Sequence, residues 1–285
     1  MQNKIYPCLW MDGTGKEAAR FYCDVFENGK VCNDTGLVQV FEIRGKKFMI
    51  LNGGPMFRIN PSVSFFVVCK SREDLDHKWQ QLKEGGMVMM PVNQYPWSAY
   101  YGWCQDRFGV NWQLMTEGSM GSDAIVPALM FTQEKAGRAQ AAIEFYTGLF
   151  PNASVKAIHR YEEQEPDVTG YIKHGQFLLQ EQLFVAMDSS GPHLFSFNEG
   201  LSFVVDCEDQ AEVDYYWDKL TAEGGLESRC GWLKDPFGVS WQIVPRQLTI
   251  LMSDPDTVKA GRVMQAMLGM KKIMVSELQA AYDAD

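Results

Sequence analysis

CGWLKDPFGVSWQIVP at Cys230–Pro245 and YGWCQDRFGVNWQLM at Tyr101–Met115 are two copies of one pattern. Gly-Trp, Asp, Phe-Gly-Val and Trp-Gln stand in matching places, which reads as a strand, a tight turn and a strand. Asp106 and Asp235 open the turn by offering a carboxylate to backbone amides, and Gly109 and Gly238 supply the backbone freedom it needs. Alternation in the second strand puts Trp112, Leu114, Trp241 and Ile243 on one face. Gln113 and Gln242 fall on the other. The aromatic face predicts a core, and the glutamine face is where function is expected.

The copies sit at the ends of two longer repeats. Before the first, Ile5–Met11 reads as a strand, and Ala18, Phe21, Tyr22, Val25 and Phe26 form one stripe of an amphipathic helix. Leu37–Ile43 and Phe48–Asn52 read as strands around the turn Arg44–Lys47. The cycle restarts with the apolar strand Val63–Cys69 and a helix with Ser71 at its cap and Leu75, Trp79 and Leu82 buried. Gly85-Gly86 ends that helix. Met87–Pro91, Tyr101–Gln105 and Asn111–Met115 follow as strands, with Val92–Ala99 expected as a long aromatic lid loop. Residues 5–116 thus read as β-α-β-β-β twice.

From Ile125 everything recurs, including the helix stripe Ala142, Phe145, Tyr146, Leu149 and Phe150 and the strand Leu201–Cys207. The expected organisation is a first domain at 1–118, a linker at 119–124, a second domain at 125–248 and a helical tail at 249–285. In the tail, Asp254-Pro255 is expected to start a helix with the stripe Ala260, Val263, Met264, Met267 and Leu268. That stripe is buried either on the second domain or across a homodimer interface.

Composition sets the class. The chain has 285 residues, 46% hydrophobic and 22% charged, and a net charge of −10. That balance is globular, and it argues against nucleic-acid or anionic-membrane partners, which need concentrated Lys and Arg. The N-terminal stretch carries no apolar run of signal-peptide length, and no segment approaches a membrane span. Seven cysteines without a C-x-x-C pair predict free thiols in a reducing cytoplasm.

PCLWMDG at Pro7–Gly13, NGGP at Asn52–Pro55, LSFVVDCED at Leu201–Asp209, the Cys230–Pro245 string and AMLGMKKI at Ala266–Ile273 resemble one family. It is the PhnB-like, or demethylubiquinone methyltransferase-like, group of the vicinal oxygen chelate (glyoxalase/bleomycin-resistance) superfamily. The resemblance implies an α+β fold of two glyoxalase-like domains, each a cup-shaped mixed sheet made from paired β-α-β-β-β units. Metal-dependent members of the superfamily carry a glutamate in the last strand, and Gln113 and Gln242 match it here. Their other ligand positions fall near Ser62 and Gly200, near Met49 and Val185, and around Cys8–Trp10. Neutral and apolar residues at these places predict cups without a metal or other cofactor. No Gly-rich nucleotide-binding turn supports methyl transfer.

The expected function is binding of a small, apolar or aromatic organic molecule. Gln113 and Gln242 would hydrogen-bond it, Trp103 and Trp232 would wall it, and His174 would stand on the same face as Gln176. The alternative is a superfamily enzyme (an isomerase, lyase or dioxygenase) with a different site. His77, His159 and His193 are expected outside any site, His77 on a polar helix face beside Lys78.

Overall fold

The computed structural model describes residues 4–116, 120–121 and 124–284. The expected linker, 119–124, therefore lies partly outside the described residues. Four β-α-β-β-β modules follow one another. The first is β1 (Ile5–Met11), α1 (Gly15–Val25), β2 (Lys30–Asp34), β3 (Val38–Ile43) and β4 (Lys46–Asn52). The second is β5 (Val63–Val68), α2 (Arg72–Lys83), β6 (Met87–Tyr95), β7 (Ser98–Gln105) and β8 (Asn111–Met115). The third is β9 (Ile125–Phe131), α3 (Ala139–Leu149), β10 (Ser154–Arg160), β11 (Ile172–Leu179) and β12 (Gln182–Asp188). The fourth is β13 (Leu201–Cys207), α4 (Gln210–Thr221), β14 (Leu226–Glu227), β15 (Trp232–Lys234) and β16 (Ser240–Pro245). The tail is α5 (Arg246–Met252), α6 (Thr257–Gly269) and α7 (Val275–Asp283).

Two eight-stranded mixed sheets result, in the orders β14-β15-β16-β13-β1-β4-β3-β2 and β10-β11-β12-β9-β5-β8-β7-β6. Each sheet joins one module from each half of the sequence. The expectation that the two modules within a half pair with each other is corrected here: β5 pairs antiparallel with β9, Val63 opposite Leu129 and Val67 opposite Ile125. The reason is geometric. Val68 of β5 lies beside Met115 at the end of β8, and β9 begins on the other edge of β5. Met115 and Ile125 therefore flank a single strand, about 10 Å apart at the usual interstrand spacing.

The molecule divides into two compact units. One is Cys8–Leu201, and the other joins the N-terminal residues through Pro7 to Ser202–Asp285. In the larger unit, Trp112 is fully buried with its ring centroid 5.4 Å from Tyr22, 4.9 Å from Phe26 and 5.3 Å from Phe65. Leu75, Trp79 and Leu82 of α2 are buried, and the Ser71 hydroxyl accepts from the Asp74 amide, as the capping pattern predicts. Lys78 departs from its expected polar face: its side chain is 1% exposed and donates to Asp74, which lies 3.6 Å from Arg44. Arg44 also donates to the Val68 carbonyl and lies over the Phe26 ring. A partly buried carboxylate thus holds two buried cations.

In the smaller unit, Phe203 and Trp241 pack together, and the tail builds a separate cluster from Leu248, Leu251, Val263, Met270, Ile273 and Leu278. Val244 at the end of β16 packs against that cluster. Gln210 of α4 accepts from the Val275 amide and donates to the Ile273 carbonyl. The tail therefore docks on its own chain. Leu268, expected inside, is 47% exposed, because the buried line runs through Val263 and Met270. The cap of α6 is Asp256, which accepts from Val258 and Lys259, in place of the expected Asp254.

Two further expectations change. The lid Val92–Ala99 belongs to the β6–β7 hairpin, in which Tyr95 pairs with Ser98 across the turn. Strands β2 and β10 went unread because they are outer strands of their sheets, carry mostly exposed side chains and lack alternation.

Candidate functional site

The D-x-F-G-V-x-W string proves to be a structural pin. Asp106 Oδ1 accepts from the amides of Phe108 (2.8 Å) and Val110 (3.0 Å). Its Oδ2 accepts from Trp112 Nε1 (2.8 Å) and the Tyr22 hydroxyl (2.9 Å). Burial lifts the Asp106 carboxyl to about 6 while these donors pull it down. Asp235 repeats the pattern with Phe237, Val239 and Trp241 Nε1. Both aspartates and both tryptophans thus fix the turn and the packed side of the sheet.

The glutamines lie on the opposite side, as alternation requires. In the larger unit, Gln113 shares a face with Phe66 of β5 and Trp103 of β7 through the strand register. The same face continues across β9 and β12 to Gln176 and His174 of β11. The structure therefore brings Gln113, Trp103 and His174 onto one sheet face. Gln113 is not free to greet a ligand: its Oε1 accepts from the Tyr101 hydroxyl at 2.5 Å, and its Nε2 donates to Ser64 Oγ at 2.8 Å. It is 3% exposed.

Around it a cluster of Phe66, Val68, Tyr101, Met115, Val126 and Val185 forms the floor, with Trp103 and Tyr95 packed at the side. Tyr95 and Trp97 stack at the hairpin tip with centroids 5.1 Å apart, and Tyr101 stands edge-on to both at 5.6 and 5.9 Å. The His174 ring stands edge-on to Phe66 at 5.9 Å, and burial, aided by His159, lowers its pKa to about 4. The imidazole is neutral at physiological pH. His159, expected outside any site, lies on β10 opposite His174.

In the smaller unit, Gln242 Nε2 donates to Ser202 Oγ at 2.9 Å, and Trp232 pairs with Gln242 across β15–β16. The serines were missed in the sequence. The resemblance puts a ligand position near Ser62 and Gly200, whereas Ser64 and Ser202 are the residues that meet the glutamines. The signal is present, since each is the one hydroxyl in its strand, VSFFVV and LSFVVDC.

A divalent cation does not fit these residues. The glutamine amides are bound to hydroxyls, Val185 offers no ligand atom, and among the described residues no three His, Cys, Asp or Glu side chains converge. Burial also makes the thiols poor nucleophiles, pushing Cys23 up to about 11 and Cys104 to about 12.

Glyoxalase I from Zea mays has a similar fold, with a TM-score of 0.57 over 84% of this chain and 91% of that one at 11% identity. The architecture is thus a tandem, glyoxalase-like fold. A PhnB protein from Bacillus cereus is 27% identical over 39% of this chain and 96% of its own, with a TM-score of 0.37. Protein PA1353 from Pseudomonas aeruginosa is 22% identical over 39% of this chain and 96% of its own, with a TM-score of 0.35. No curated protein matches the chain. The family model described as 3-demethylubiquinone-9 3-methyltransferase matches residues 3–115 and again 123–244, and the chain belongs to that PhnB-like family. The residues do not fit a nucleotide-type methyl donor in the doubly wound manner, because neither sheet is a parallel array with crossover helices on both faces.

Proposed function

We propose that the protein binds a small, largely apolar organic molecule on the inner sheet face of Cys8–Leu201, without a metal. One observation carries this reading: aromatic and aliphatic side chains from six strands share a face with a few polar groups, among them Trp103, Gln113, His174 and Gln176. Gln113 acts in it as a fixed part of the wall rather than as a ligand hook. Gln242 and Trp232 have the equivalent role in the other sheet. Isomerase, lyase or dioxygenase chemistry gains no support from this face, whose titratable groups are the Tyr95 and Tyr101 phenols, His159 and the neutral His174 imidazole, with no carboxylate beside them among the described residues.

The reading is tested by native mass spectrometry of the purified protein together with a thermal-shift screen of small aromatic compounds. Binders should shift the Trp103 indole signal in NMR. Zinc, nickel, manganese and iron should leave the melting temperature unchanged, since only a species that binds the native state stabilises it. Stoichiometric metal on Gln113 or Gln242, or binders that never perturb Trp103, would overturn the reading.

A further inference from the structure

We propose that a second site in Cys8–Leu201, an open cleft between its first two modules, takes a small zwitterion with an aromatic body, the chemistry of an aromatic α-amino acid. Arg58 holds the carboxylate and Asp12 the ammonium. The cleft is lined by none of the residues named for the inner sheet face, so this site stands independently of the reading above.

The cleft has a volume of about 670 Å³, within the range of small-molecule sites. Two strings that the fold and the inner face leave without a role meet there. PCLWMDG supplies Trp10, Met11 and Asp12, and the segment that opens with Pro55 of NGGP supplies Phe57 and Arg58. The turn pinned by Asp106 adds Arg107 and Phe108 from the other side. The aromatic wall is fixed in place. Trp10 Nε1 donates to the Gly54 carbonyl at 2.7 Å, and Gly53 lies so close to the indole that a Cβ there would stand 2.2 Å from it. Phe57 stands edge-on to Trp10 with centroids 5.0 Å apart. Rings held in this way offer an aromatic ligand a surface with little side-chain freedom left to lose.

Charge decides what kind of molecule the cleft accepts. Four charged residues line it, and two of them satisfy each other. Arg107 donates to Glu17 at 3.2 Å, with its guanidinium 4.2 Å from the centroid of Phe21 and 4.7 Å from that of Phe108. Asp12 and Arg58 are left. Both are exposed, and among the described residues neither has an ion-pair partner, so they stand too far apart to pair with each other. Asp12 follows Trp10 by two positions and Arg58 follows Phe57 directly, so the ring pair is accompanied by one charge of each sign. An anion would be drawn to Arg58 and repelled by Asp12, and a cation the reverse. A molecule that is neutral overall and charged at both ends meets an opposite charge twice.

The experiment uses the full chain and three probes that share one body. Phenylalanine carries both charges, phenethylamine the ammonium alone, and 3-phenylpropionate the carboxylate alone. By calorimetry, phenylalanine should bind about fivefold more tightly than either analogue, the effect of one ion pair near the surface. It should also move the indole signal of Trp10 in NMR, assigned through Trp10→Phe. Arg58→Gln should weaken phenylalanine and 3-phenylpropionate while phenethylamine is unaffected. Asp12→Asn should weaken phenylalanine and phenethylamine while 3-phenylpropionate is unaffected. Both substitutions fall on exposed side chains, and thermal melting checks that the fold survives them. Equal binding of the three probes, or a loss that ignores which charge was removed, would overturn the zwitterion assignment. Absence of any shift at Trp10 would overturn the cleft as a site, whatever happens at Trp103, whose signal reports on the inner-face reading instead.

Discussion

Single residues divide by the side of the sheet they occupy. Trp241 lies on the packed side with its indole bound to Asp235, so Trp241→Ala should cost about 3–5 kcal/mol. Gln242→Leu removes one hydrogen bond and leaves Ser202 Oγ without its donor, a loss of about 1–3 kcal/mol. Urea unfolding of both variants measures the order, and a larger loss for Gln242→Leu would place the core on the wrong side. His174 gives a pH signature. Its pKa in the fold, about 4, lies below the ordinary imidazole value, so between those values the unfolded chain takes up a proton that the fold refuses. The stability that His174 allows is fully present above the ordinary value and is lost as pH falls towards 4. His174→Phe should therefore lose less melting temperature than the unaltered protein between pH 7 and pH 5, and parallel curves would refute the assignment. The strand-turn-strand string was legible in the sequence because alternation fixes faces. The commitment of Gln113 to Tyr101 and Ser64 was not, because it depends on which side chains meet across strands far apart in sequence.

Helices and strands were readable wherever one side is buried. The Ser71 cap and the Leu75, Trp79, Leu82 stripe gave α2 without help from tertiary structure. The outer strands β2 and β10 escaped for the opposite reason, having little to bury. Lys78 escaped too, because a lysine beside Asp76 and His77 reads as solvent-facing, and only the fold brings Arg44 and Asp74 around it. That triad has a testable asymmetry. Asp74→Asn leaves two buried cations facing each other and should cost about 3–5 kcal/mol. Lys78→Met leaves the Asp74–Arg44 pair intact and should cost far less. Denaturant titration of the two variants settles it, and equal losses would mean that the charges are not energetically linked.

At the scale of the whole molecule, the order of modules was legible and their pairing was not. The first strands β1, β5, β9 and β13 are all short apolar runs, and nothing in their composition says which will lie beside which. The sheets join modules from opposite halves, so residues 1–118 alone would expose the edges of β1 and β5 that β13 and β9 cover. That fragment should aggregate or self-associate, and co-expression with residues 119–285 should restore one soluble species by size-exclusion light scattering. A folded monomer of residues 1–118 would show that its two modules can pair with each other. The arrangement also sets a timetable on the ribosome. Tyr6 meets Asp206, its hydrogen-bond partner 200 positions away, only once 206 of the 285 residues have emerged. At roughly 5–20 residues per second, the first module waits about 10–40 s with one strand edge open. During that interval the nascent chain depends on chaperones more than a protein whose halves closed in order, and slower translation of the second half would lengthen the exposure.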